Sequence, residues 1–265
     1  MLPGHVYHLT ARCHDRSFLF KFGLDRDEYR RRLRELLRDS KVSVLTYCIT
    51  SNHVHLVISA PDPEAVAELM QELQGKLAEW YNGRARDSRK GRGRTSAFWE
   101  GRYHATMVET GRHLWNCMTY VDLNMIRAGV VKHPLEWKWC GYDELVGARS
   151  RYCVVDKPRV LEIVGGTTED LAHEYAAAVT EAFERGRIER EPHWTEAIAV
   201  GSEAYVKDVG EQMNSRYRLT VGKTPDGSHM VSDAELHPDQ RQDQHRLPRR
   251  SDLWLRTAAF LQGPQ

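Results

Sequence analysis

Residues 42–60 read Val-Ser-Val-Leu-Thr-Tyr-Cys-Ile-Thr, then Ser51-Asn52, then His-Val-His-Leu-Val-Ile-Ser-Ala. Two β-rich runs on either side of a turn-forming Ser-Asn pair predict a hairpin. Successive side chains of a strand point to opposite faces, so His53 and His55 project from one side. Val54, Leu56 and Ile58 then face the other way, into a core. Two imidazoles side by side on a rigid strand are half of a divalent-metal site.

Working outward, His5–Cys13 reads as a first strand and Asp25–Ser40 as a helix with a basic face of Arg30, Arg31, Arg32, Arg34 and Arg38. After the hairpin, Pro63–Tyr81 places Val66, Leu69, Met70, Leu73, Leu77 and Trp80 at helical spacing. Phe98–Glu109 reads as a fourth strand. The order β-α-β-β-α-β predicts an α+β fold, a ferredoxin-like sandwich on an antiparallel sheet.

A third helix is expected from about Thr110 to Ala128, closed by Gly129. Its apolar stripe is Leu114, Cys117, Met118, Val121 and Met125. Asn116, Tyr120, Asn124 and Arg127 form a second, polar stripe that faces something other than plain water. Tyr120 and Asn124 are one turn apart and neighbour one another. An amide oxygen can ligate a metal, and a phenol beside that metal can be a nucleophile.

The chain has 265 residues, 41% of them hydrophobic and 28% charged, as in an ordinary globular protein. No apolar run is long enough for a membrane helix, and no secretory signal is visible. Cys13, Cys48, Cys117, Cys140 and Cys153 are odd in number and scattered, so they read as reduced thiols of a cytoplasmic protein. The net charge of +1 hides an asymmetry: residues 1–150 carry 23 Lys/Arg against 18 Asp/Glu, and residues 151–265 carry 15 against 19. Arg84, Arg86, Arg89, Lys90, Arg92 and Arg94 crowd into one Gly/Arg segment. Such a segment can track phosphates through counterion release, or can simply be a solvated loop.

From 151 to 223 the pattern predicts a helical domain, with helices at Val160–Val164, Asp170–Arg185, Trp194–Val200 and Ser202–Tyr217. Ser202 is placed to cap the last of them. Residues 224–265 read as a polar, flexible tail.

Taken in order, His53-Val54-His55, the run Phe98-Trp99-Glu100-Gly101-Arg102-Tyr103, Tyr120-Val121-Asp122-Leu123-Asn124-Met125-Ile126-Arg127-Ala128-Gly129 and the ending Trp137-Lys138-Trp139-Cys140-Gly141-Tyr142 resemble the REP-associated tyrosine transposases. These belong to the single-tyrosine HUH transposase superfamily. The resemblance spans roughly residues 4–148 and marks residues 1–150 as the catalytic domain. It implies that His53, His55 and Asn124 bind Mg²⁺ or Mn²⁺ and that Tyr120 is the nucleophile. The implied reaction cleaves and rejoins single-stranded DNA through a 5′-phosphotyrosine, at palindromic repeats that fold into hairpins.

Arg102 and Arg127, with the basic segment, are candidate DNA contacts, although pairing with an acid would serve them equally. The helical domain could recognise folded DNA. The chain could be a monomer or a homodimer, with Tyr120 serving its own or its partner's metal site. Two other readings remain: a DNA-binding regulator of the same fold without cleavage, and a hydrolase using metal-activated water. A lone strand histidine is most often structural, and a lone helix tyrosine most often packs on a neighbour.

Overall fold

Strands β1 (Val6–Arg12), β2 (Ser43–Ile49), β3 (His53–Ser59) and β4 (His104–Val108) pair antiparallel in the order β2-β3-β1-β4. That is the order a β-α-β-β-α-β chain adopts when each helical crossover skips one strand, so the expected α+β sandwich is present. The computed structural model describes residues 1–86, 96–186, 189–213 and 219–233. Helices α1 (Gly23–Leu37) and α2 (Pro63–Arg86) pack on one another. Tyr29 and Leu33 of α1 and Val66, Leu73 and Leu77 of α2 share a buried apolar core with Val54, Leu56 and Ile58. The hairpin thus has the sidedness its alternation predicted.

The fourth strand is shorter than expected. Phe98 leaves the strand direction because its ring is buried against Phe20, Tyr81 and Trp99, at centroid distances of 5.4, 4.9 and 4.8 Å. Only an isolated bridge between Cys13 and Trp99 precedes β4. The expected single helix over 110–128 is two: α3 (Arg112–Asp122) and α4 (Asn124–Arg127), separated at Leu123 by a non-helical ψ of 1°. Gly129 closes the segment with a left-handed φ of 69°, a conformation suited to glycine.

Beyond it come α5 (Tyr142–Leu145), α6 (Lys157–Val164), α7 (Thr168–Glu184), α8 (His193–Glu196), β5 (Ala199–Gly201), α9 (Glu203–Met213), β6 (Leu219–Lys223) and β7 (His229–Asp233). The extension is helical as expected, with Ser202 Oγ accepting from Tyr205 N at the start of α9. It also contributes three strands. The helix expected over Trp194–Val200 stops at Glu196, and Ala199–Gly201 joins the sheet parallel to β4. The hairpin β6–β7 turns at Gly227, φ 81°, where a flexible tail was expected to begin, and pairs with β5. A three-residue strand has no period of its own; pairing with β4 and β7 defines it. Among the described residues the sheet has seven strands, in the order β2-β3-β1-β4-β5-β7-β6. No helix among the described residues is long and apolar enough to cross a membrane.

Candidate active site

Residues directly opposite one another in an antiparallel pair share a face. The register places Arg12 opposite His53, Thr10 opposite His55 and His8 opposite Val57. β4 extends the same face with Thr106 opposite His8 and His104 opposite Thr10. α3 lies over this face: Thr46 Oγ1 on β2 donates to the Asp122 carboxylate at 2.9 Å, and the Tyr120 ring sits 6.2 Å from that of His55.

His53 and His55 stand edge to face with ring centroids 4.8 Å apart. The two nitrogens of each ring have different fates. His53 Nδ1 donates to Asn52 Oδ1 at 2.7 Å, which leaves Nε2 bare as an acceptor. His55 Nδ1 lies 2.8 Å from His8 Nε2, and its Nε2 lies 3.0 Å from the Asn124 side-chain amide. Burial holds all three imidazoles neutral, His8 and His53 pushed down to about 3 and His55 well below its ordinary value. Neutral imidazole is the form that ligates metal. Two ring nitrogens and a carboxamide converge here, so the donor set fits a divalent cation. Among the described residues no group of three His, Cys, Asp or Glu side chains does the same.

Tyr120 is 6% exposed and ringed by His8, His55 and Trp194, with centroids 6.2–6.3 Å away. Burial raises its phenol above the ordinary value, and the cations Arg127 and Arg190 oppose that. Arg127 comes from α4, so Tyr120, Asn124 and Arg127 of the polar stripe form an enclosed face beside the histidine pair. The stripe's upper member, Asn116, is turned toward Asp226 in the β6–β7 turn instead.

The remaining basic candidates scatter. Arg84 forms an ion pair with the buried Asp25 carboxylate and stacks on Trp80 and Tyr81, so it is a structural residue of the α1–α2 layer. Arg86 ends α2; Arg89, Lys90, Arg92 and Arg94 lie outside the described residues. Arg102 is exposed and lines a cleft of about 480 Å³ together with Thr10, Arg12, His104, Glu196 and Met230. Thr10 and Arg12 are the register partners of His55 and His53, so this cleft adjoins the histidine pair.

Two residues of the site are not legible from sequence. His8 backs His55, and Trp194 presents its carbonyl to His8 and its ring to Tyr120. The alternation of β1 does put His8 on one face with Thr10 and Arg12. Only the register with β3 brings that face to His55.

Residues 2–124 match the family model described as "Transposase IS200 like". That span holds β1 to β4, the histidine pair, Tyr120 and Asn124. No curated protein matches the chain. A solved structure, "Structure of the REP associates tyrosine transposase bound to a REP hairpin", is similar at 15% identity and a TM-score of 0.46, covering 63% of this chain and 88% of that one. Over residues 2–124, a little under half of its length, the chain is therefore similar to the IS200-like transposases.

Proposed function

We propose that this protein cleaves and rejoins single-stranded DNA through a covalent phosphotyrosine on Tyr120, with a divalent cation held by His53, His55 and Asn124. The observation that carries the reading is the convergence of two strand imidazoles, a carboxamide and an enclosed phenol on one face of the sheet.

A free phenol has a pKa near 10 and is a poor nucleophile at pH 7. The cation would polarise a non-bridging phosphate oxygen and stabilise charge developing in the transition state. Neutral ligands leave its full charge for that purpose. Imidazole suits Mn²⁺ better than Mg²⁺, which prefers oxygen. The rest is done by the chain. Arg127 over the Tyr120 ring favours the phenolate. Tyr120 Oη attacks phosphorus, giving up its proton to solvent. The P–O3′ bond breaks and the departing O3′ takes a proton from solvent, leaving a 5′-phosphotyrosine and a strand that ends in a 3′-hydroxyl. Attack by another 3′-hydroxyl reverses the step and rejoins strands without outside energy. Hairpin-forming repeats are the proposed target.

Incubation with hairpin-bearing single-stranded DNA and Mn²⁺ tests this. A covalent protein–DNA adduct that disappears in Tyr120→Phe is expected. Cleavage that survives this substitution would assign the work to activated water. Binding with neither adduct nor cleavage would make the protein a silent DNA binder.

A further inference from the structure

The hydrogen bonds of His8 set the protons behind His55, whose Nδ1 also lies 3.4 Å from Thr10 Oγ1, a hydroxyl able to accept from it. His8 Nδ1 lies 2.7 Å from the Trp194 carbonyl oxygen, which can only accept, so Nδ1 carries the proton. His8 is 0% exposed, where a charged imidazole would lose its hydration, so its other nitrogen, Nε2, is bare. That bare nitrogen lies 2.8 Å from His55 Nδ1, which must therefore be the donor. A neutral His55 with its proton on Nδ1 has a lone pair on Nε2. That atom is the one the Asn124 amide approaches at 3.0 Å.

We propose that His8 is a positioning residue and that the Trp194 carbonyl, acting through it, commits His55 to the tautomer whose Nε2 faces the metal site. The inference rests on the reading of His53 and His55 as ligands. It adds that residues far beyond the matched family segment are part of the site. Trp194 belongs to α8, and its placement is well determined. It is fully buried, its indole Nε1 donates to Glu191 at 2.6 Å, and its carbonyl also accepts from Thr106 Oγ1 at 3.1 Å. Without the carbonyl, His8 could carry its proton on Nε2, and His55 would then be left to accept there and point an N–H at the cation. Partners that orient a ligating histidine in this way typically carry 10–100-fold in metal affinity.

The test is nitrogen NMR of the histidine rings in the metal-free full chain, paired with Mn²⁺ titration of wild type, His8→Gln and His8→Phe. Wild type is expected to show His55 with a protonated Nδ1 and a bare Nε2. The Gln carbonyl can accept from His55 Nδ1, so His8→Gln is expected to keep that tautomer and to bind Mn²⁺ within about threefold. Phe offers no acceptor, so His8→Phe is expected to mix the tautomers and lose about 10–100-fold in Mn²⁺ affinity. Circular dichroism identifies folded variants; should His8→Phe not fold, the wild-type tautomer and the Gln variant still decide. A wild-type His55 protonated on Nε2 overturns the proposal, as does a folded Phe variant with tautomer and affinity unchanged. Mn²⁺ binding that is absent, or unaffected in His55→Ala, would instead sink the ligand assignment, while the tautomer measurement continues to judge the relay.

Discussion

The Arg127 guanidinium stands 4.1 Å from the centre of the Tyr120 ring and donates from Nη2 to the carbonyl of that same residue at 3.0 Å. A cation so placed lowers the energy of a phenolate more than that of a phenol.

Replacing Arg127 with Gln should therefore slow DNA cleavage at pH 7. A desolvated cation–π contact of up to about 2 kcal/mol corresponds to a loss of up to about thirtyfold. Because Tyr120 titrates above its ordinary value, wild type and variant are ionised in a constant ratio from pH 7 to 9, so the deficit should hold across that range and shrink only as the pH reaches the phenol's own pKa. Single-turnover rates check this, and an Arg127→Gln rate equal to wild type would reduce Arg127 to packing.

Acid should destabilise the metal-free protein steeply. His8 and His53 titrate at about 3 in the folded chain and at 6.5 when unfolded, and His55 is shifted in the same direction. A depressed histidine stabilises above its unfolded pKa, and that contribution is lost as pH falls below about 6.5. Each of the three contributes up to about 1.4 kcal/mol per pH unit in that window. Urea unfolding between pH 6.5 and 5 should show the slope, and His8→Gln should remove about a third of it.

Asp122 works in the opposite sense. Burial raises its carboxyl to about 7, against the hydrogen bonds from Tyr175, Thr46 and Cys140. A raised acid stabilises fully below its unfolded pKa of about 3.8, and the contribution fades as pH rises through 7. Between pH 4 and 6.5 the three histidines outweigh this single group, so acid still destabilises overall. Asp122→Asn keeps an acceptor for Thr46 and Tyr175. Relative to wild type it should gain stability from pH 5 to pH 8, and an unchanged difference would contradict the assignment.

Arg84→Ala should cost about 1–3 kcal/mol, because it strands the buried carboxylate of Asp25, which also accepts from Phe22 N at 2.8 Å. Affinity for hairpin DNA should stay within about twofold. A large drop in affinity without a drop in stability would return Arg84 to the DNA contacts.

Where a side chain's role depends on local period, the sequence was readable. The alternation of β3 puts His53 and His55 on one face, whereas Asn124 meets His55 across the break at Leu123. The four-strand order likewise follows from element order alone. Roles set by register or by distant pairing were hidden. His8 meets His55 only because β1 and β3 align Thr10 with His55, and Trp194 reaches both His8 and Tyr120 from a segment that periodicity reads as a plain helix. Arg84 shows the converse, since a cation inside a basic run gives no sign that a buried acid on another helix already holds it.

The parallel pairing of β4 with β5 has one more consequence. A four-stranded sandwich ending at β4 would present that strand's unpaired N–H and C=O groups as a template for other chains. Here the chain returns some ninety residues later to cover the edge itself, at Met107–Ala199 and Val108–Val200. A fragment ending near residue 150 would lose Trp194 and uncover a sticky margin at once. Pairing with β5 thus takes the Met107–Val108 stretch of that edge out of reach of a second copy.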